Sequence, residues 1–348
     1  MANISRKPRP FSSKMGTLPV TPQKTMRLIL APMEGLADYV LRDVLTRIGG
    51  YDGAVSEFIR VSGTLLPFRT YQRLCPEIFD GSRTSSGTPV AVQLLGSDPG
   101  WLAANAARLS ELSPHGVDLN FGCPAKTVNR HGGGAMLLGD PELLNRIVHA
   151  VRCAVPKNIP VTAKMRLGIS DTSRALDCAQ ALAEGGAASL VVHARTKEQG
   201  YKAPAHWEWV ARIREAIPVP VVANGEVWTV EDWKRCCEIS GSHDVMLGRG
   251  AVSDPWLAQR IRGMAEPEPT PQDWLALLPF IADYWTGVQR KVLPAQAAGR
   301  LKLWLGMLRR TWPEAGELHT IIRPLRTPGE ISDVLCGLSI LGRADLPH

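Results

Sequence analysis

Residues 219–250 read VPVVANGEVWTVEDWKRCCEISGSHDVMLGRG. Two short β-branched runs, VPVVANG (219–225) and HDVMLGRG (243–250), flank a stretch of helical character that ends on a glycine suited to a C-cap. The reading is strand, loop, helix, strand, with each strand running into a glycine. Working back towards the N-terminus, the same alternation recurs. Strands are expected at RLILAP (27–32), AVSEF (54–58), PVAVQLL (89–95), GVDLN (116–120), PVTAKMRL (160–167) and SLVVHA (189–194). Between them lie helical stretches such as DPGWLAANAARLSEL and DPELLNRIVHAVRCAV. Both open on Asp-Pro, an N-cap followed by proline at the first helical position. Eight apolar strands alternating with helices over about 225 residues predict a (β/α)8 TIM barrel. The alternative is an open doubly wound sheet. It should carry a G-x-G-x-x-G after its first strand, where this chain has APMEG.

The pattern changes at GMAEPEPTPQD (263–273), a joint rich in proline and glutamate. Beyond it the periodicity is helical. Leu301, Trp304, Leu305 and Leu308 form one buried stripe, with Arg300, Lys302, Arg309 and Arg310 off it. Three regions are therefore expected: a disordered basic tail over 1–25, a catalytic barrel over 26–265 and a small helical domain over 271–348.

Charge follows these boundaries. The chain carries +7 overall, but residues 1–25 hold five Lys/Arg and no acid, whereas 26–270 balances 26 against 26. Residues 290–326 hold eight Lys/Arg against Glu314 and Glu317, so a polyanion site is expected there. A hydrophobic fraction of 45% with 21% charged residues is that of a soluble globular protein. No apolar run is long enough for a membrane span, so no membrane partner is expected. Seven scattered cysteines without C-x-x-C or Cys/His spacing fit free thiols in a reducing cytoplasm and disfavour a metal site.

In barrels of this type chemistry gathers where the strands end, because the βα loops converge there. The endings here are Pro32-Met33-Glu34, Glu57, Gln93, Asn120, Lys164 with Arg166, His193, Asn224-Gly225-Glu226 and Gly248-Arg249. The last two loops suit a phosphate, with glycines for close backbone approach and Arg249 for a bidentate contact. Gln93 and Lys164 would face a planar, electron-rich cofactor; a flavin needs a cation beside its N1–C2 edge. Cys123, three residues past Asn120 in GVDLNFGCPAKTVNRHGGGAMLL, overhangs the mouth. Pro124 stiffens its loop, and Gly132–Gly134 suggest a hinged lid. Nearby Lys126 and His131 would suit a nucleophile. An unperturbed thiol would serve equally as a general acid. The residues alone leave both roles open.

The ordered series APMEG, EFIRV, VAVQLLGSDP, GVDLNFGCPAKTVNRHGGGAMLL, KMRLG, VVHARTKEQGY, VVANGEV and VMLGRGA resembles the tRNA dihydrouridine synthases. The resemblance runs from about Met26 into the C-terminal helices. ARTKEQGY and RLKLWLGMLRR are most similar to the bacterial C-type branch, which acts on uridine 16 of the D-loop. The resemblance implies an FMN-containing barrel, NADPH (with NADH as the alternative) as reductant, and a monomer with a helical tRNA-binding domain. It places FMN contacts on Pro32, Met33, Glu34, Gln93, Lys164, Asn224, Gly225, Glu226, Gly248 and Arg249, with His193 near flavin and substrate. Cys123 takes the catalytic position, as proton donor. Arg60, Arg300, Lys302 and Arg323 become tRNA contacts, with Asn120 and Tyr201 near the target nucleotide. Two rival readings remain: a flavin barrel for a small molecule, which leaves the basic helices without a role, and a non-catalytic RNA-binding protein.

Overall fold

A computed structural model describes residues 26–130 and 132–340. The expected basic tail (1–25), His131 and residues 341–348 lie outside the described residues. Among the described residues nine strands form: β1 (Leu28–Leu30), β2 (Gly53–Val55), β3 (Ile59–Arg60), β4 (Val90–Leu95), β5 (Val117–Phe121), β6 (Val161–Arg166), β7 (Leu190–His193), β8 (Val221–Asn224) and β9 (Val245–Leu247). All neighbours are parallel, in the order β2-β1-β9-β8-β7-β6-β5-β4. Ala54 of β2 also pairs with Val90 of β4, which closes the ring. The fold is an eight-stranded TIM barrel, as the alternation predicted, and the open sheet is excluded.

One expected strand divides. AVSEF was expected to run over 54–58, but regular pairing stops at Val55 and resumes at β3, where Ile59 meets Leu94. The cause is Ser56. Its hydroxyl accepts the Gln93 amide at 3.1 Å, so a side chain takes the place of a ladder carbonyl.

The caps fall where the sequence placed them. Asp98 accepts from the Trp101 amide at 2.8 Å, and Asp140 from the Leu143 amide at 3.0 Å. Thr229 and Asp232 make a reciprocal capping box, and Gly241 ends that helix in the left-handed region at φ 63°.

Strand alternation sorts the core into two layers. Leu119 and Phe121 of β5 point outward into the helix-facing core, so Asp118 and Asn120 turn inward. Ala31, Val55, Val191, Val222 and Met246 fill the barrel interior as a separate apolar cluster. They floor the mouth with a dry layer.

After β9 the chain is helical: Arg249–Ser253, Leu257–Ile261, Pro271–Lys291, Pro294–Leu308, Pro313–Ile322 and Pro328–Gly337. Leu301, Trp304, Leu305 and Leu308 are fully buried, as their spacing predicted. The Trp304 ring packs edge-on against Tyr284 at 4.8 Å, and its N–H donates to the Val252 carbonyl at 3.3 Å. Helix 271–291 lies close against helix Tyr39–Ile48. A Cβ at Gly287 would come within 2.6 Å of Val40 Cγ1, so only glycine permits that approach. Among the described residues no helix is long and apolar enough to cross a membrane, and no group of three or more His, Cys, Asp or Glu could hold a metal ion.

Candidate active site

The strand ends enclose a cavity of about 520 Å³, within the range of ligand sites. Its wall contains Pro32, Met33, Glu34, Gln93, Lys164, His193, Asn224, Gly225, Glu226, Gly248 and Arg249, the residues the sequence had grouped as cofactor contacts. Cys123, Asn120 and Tyr201 line it too. Barrel register brings them level: Asn120 lies beside Lys164, and His193 beside Asn224.

The inward polar residues are linked. Asp118, fully buried, accepts from Gln93 Nε2 at 2.7 Å and from the Thr162 hydroxyl. Gln93 Oε1 accepts from Asn120 Nδ2 at 2.7 Å. Asn120 Oδ1 in turn accepts the amides of Gly122 and Cys123, both at 2.9 Å. A chain of hydrogen bonds therefore runs from the barrel wall to the backbone of the cysteine loop. Such chains hold their end group in one geometry because each member is satisfied by the last.

Of the glycines expected to hinge a lid, Gly134 packs directly against this loop. The Cys123 carbonyl accepts from the Ala135 amide at 3.1 Å. Gly134 sits at φ 61°, where an added Cβ would fall 2.7 Å from the Cys123 carbonyl oxygen. At Gly134 the absence of a side chain permits this close approach, whereas Gly132 lies in open space.

Burial sets the protonation states. It raises the Cys123 thiol above its ordinary range, with Glu34 adding to the rise while the Ala125 amide, Arg166 and Arg60 oppose it. A raised thiol keeps its proton more firmly, the direction that suits an acid more than a nucleophile. Burial also pushes Lys164 down to about 7, with Arg166 helping and Asp118 opposing. Its ammonium donates to Asn224 Oδ1 at 2.9 Å. His193 is held well below its usual range by burial and by four neighbouring cations, so its imidazole is neutral. Burial raises Glu34 as well, with Glu57 adding to it.

Several wall residues were not singled out from the sequence as ligand contacts. Arg195 is buried and pairs with Glu226, and among the described residues its Nη1 has no hydrogen-bond partner. Trp228 donates to Glu226 Oε1 at 3.1 Å and lies 5.0 Å from the Arg249 guanidinium, which also stacks 4.9 Å from the Tyr201 ring. Arg166 donates to the carbonyls of Gly122, Thr196 and Gly200. The signal for Asp118 was available in period-2 alternation, since it shares a face with Asn120. That for Arg195 was weaker, because it lies beyond the last residue of β7.

These groups fit a flavin. Lys164, Arg166, Arg195 and Arg249 make the cavity cationic, as an anionic ring edge and a phosphate require. Gly225, at φ 115°, has room only for hydrogen, since a Cβ would lie 3.0 Å from the His193 ring.

The remaining predicted residues lie elsewhere. Arg60 is exposed on β3, and Arg323 is exposed at the end of helix 313–322. Arg300 and Lys302, expected on a solvated basic face, are turned onto protein carbonyls: Arg300 donates to Gly35 at 2.6 Å, and Lys302 to Leu325. Arg310, exposed, stacks on Trp228 at 4.2 Å and so reaches the cavity rim from the C-terminal helices.

The chain is similar to known proteins along most of its length. A sequence model described as Dihydrouridine synthase (Dus) matches residues 29–284. A tRNA-dihydrouridine(16) synthase of Cupriavidus necator is 65% identical over 322 residues, covering 92% of this chain and 99% of the relative. One from Ralstonia nicotianae is 63% identical with the same coverage. A third, from Aquipseudomonas alcaligenes, is 61% identical over 299 residues, covering 86% of this chain and 95% of the relative. The chain belongs to the dihydrouridine synthase family.

Proposed function

We propose that the protein reduces uridine 16 of tRNA to 5,6-dihydrouridine, using FMN in the barrel mouth and NADPH as reductant. The observation that carries this reading is the cavity itself, where a protonated Cys123 faces a ring of fixed polar groups. The position is that named for the relatives. When bound, the flavin supplies a hydride equivalent, delivered to C6 of the uracil ring.

The chain's own residues do the rest. Lys164 would offer a positive charge to the flavin, and Gln93 and Asn224, which line the same cavity, would offer it hydrogen-bonding groups. Gly225, Gly248 and Arg249 suit the phosphate. Cys123 Sγ carries the proton that C5 must receive, and the Asn120 contacts hold its backbone at the mouth. Neutral His193, with Tyr201 6.0 Å away, lies beside the place for an extruded base. Residues 271–340, with exposed Arg309, Arg310 and Arg323 and with Arg60 on the barrel, form the tRNA-contacting region. The protein is read as a cytoplasmic monomer.

The test is to map dihydrouridine in tRNA from a deletion strain and from that strain complemented with this chain. Loss of the modification at position 16 and its return on complementation are expected. An unchanged modification pattern overturns the substrate assignment. A purified protein without flavin absorbance that takes up no added FMN overturns the cofactor.

A further inference from the structure

The loop after β1, residues 31–38, supplies Pro32, Met33, Glu34 and Leu36 to the cavity wall. Within itself it is a tight turn: the amides of Leu36 and Ala37 donate to the Met33 carbonyl at 3.0 and 2.9 Å. What fixes the turn in space comes from other parts of the chain. The Gly35 amide donates to Glu57 Oε1 at 2.6 Å. The Gly35 carbonyl accepts from Arg300 Nη1 at 2.6 Å. Asp38 closes the loop and is fully buried, its Oδ1 capping helix 39–48 through the Val40 and Leu41 amides at 3.1 Å. Its other oxygen faces Lys291 Nζ at 2.9 Å, with Arg300 Nη1 at 3.9 Å. Lys291 also sits 4.1 Å from the centre of the Tyr39 ring.

Lys291 ends helix 271–291, and Arg300 lies on helix 294–308. A buried carboxylate without a cation is strongly unfavourable, so the charge of Asp38 at this position is compensated by these docked helices. We infer that Lys291 and Arg300 are positioning residues for the cavity loop 31–38, making ligand binding in the barrel depend on how the C-terminal helices are seated. Arg300 then acts on the loop and through it on the cavity, whereas the family resemblance had marked it as a tRNA contact. The consequence for FMN rests on the cofactor assignment above; the consequence for the loop does not.

Hydrogen–deuterium exchange of the full-length protein, without added flavin, tests the loop directly. In Lys291→Met the amides of 31–38 should exchange about tenfold faster, because the carboxylate loses its closest cation. A peptide from helix Pro141–Ala154 should be unchanged, which shows the barrel intact. Lys291→Arg should restore protection, and Arg300→Met should give a smaller increase. Fluorescence titration with FMN should show about tenfold weaker binding in Lys291→Met, with tRNA affinity changed less. Unaltered loop exchange in both Met variants overturns the inference. So does a loss of tRNA affinity with loop protection intact. If the wild type binds no FMN, the cofactor assignment falls while the exchange data still decide the positioning role.

Discussion

The barrel mouth and the outer face of the C-terminal helices are both rich in Lys and Arg, yet they use charge in opposite ways. At the mouth, Lys164, Arg166 and Arg195 are enclosed and held by Asn224, by three backbone carbonyls and by Glu226. On the outer face Arg309 and Arg323 are exposed. A desolvated, fixed cation interacts strongly with a ligand in one geometry. An exposed cation attracts any phosphate, weakly and in a salt-dependent way. The first region is suited to chemistry on one small group, the second to gathering a large polyanion.

Four experiments sharpen or break that contrast. Cys123→Ala should leave flavin reduction by NADPH intact while dihydrouridine formation drops about 10²–10⁴-fold, the scale of a positioned acid. Equal loss of both half-reactions would remove the acid role. Gly134→Ala should displace the Cys123 carbonyl and cost about 10²-fold in product formation, as small misplacements do. Its flavin absorbance should be retained; undiminished activity would show that the loop tolerates movement.

The third concerns pH. Lys164 in the folded protein is pushed down to about 7, so above that pH it is neutral until an anionic ligand returns its proton. FMN affinity should therefore fall as pH rises from 7 to 9, by at most about tenfold per unit, and Lys164→Met should flatten the slope. Stability without ligand runs the other way. The unfolded lysine keeps its proton up to about 10.4, so across that window the unfolded chain binds more protons and stability rises with pH. The smallest effect belongs to the outer face. Arg309→Ala with Arg323→Ala should weaken tRNA binding about 3–10-fold and lower the log–log salt slope by about 2, with FMN binding unchanged. An altered flavin titration would mean the two regions are not separable.

Much of the barrel was legible because its signals are local. Asp98, Asp140 and Gly241 each mark a helix end through contacts within a few residues. The strand-end residues were legible because parallel strands place equivalent positions at one level, so Gln93, Lys164, His193 and Asn224 meet without long-range information. Less legible were residues whose role depends on a distant partner. Ser56 interrupts a strand because it faces Gln93, and Arg195 lies past its strand end beside Glu226. The three glycines suggested a hinge because backbone freedom is visible in a sequence, whereas the Cys123 carbonyl beside Gly134 is not.

The sequence by itself determined the eight-fold alternation, the ring of polar strand ends, the position of Cys123 and the change to helices after residue 270. Periodicity and capping are properties of neighbouring residues, and they survive without coordinates. Only the tertiary structure gave the directions in which Cys123, Lys164 and His193 shift, because burial by residues far along the chain sets them. It alone also turned Arg300 and Lys291 from a basic face towards Gly35 and Asp38. A charge in a sequence has no address until the fold supplies its counter-ion.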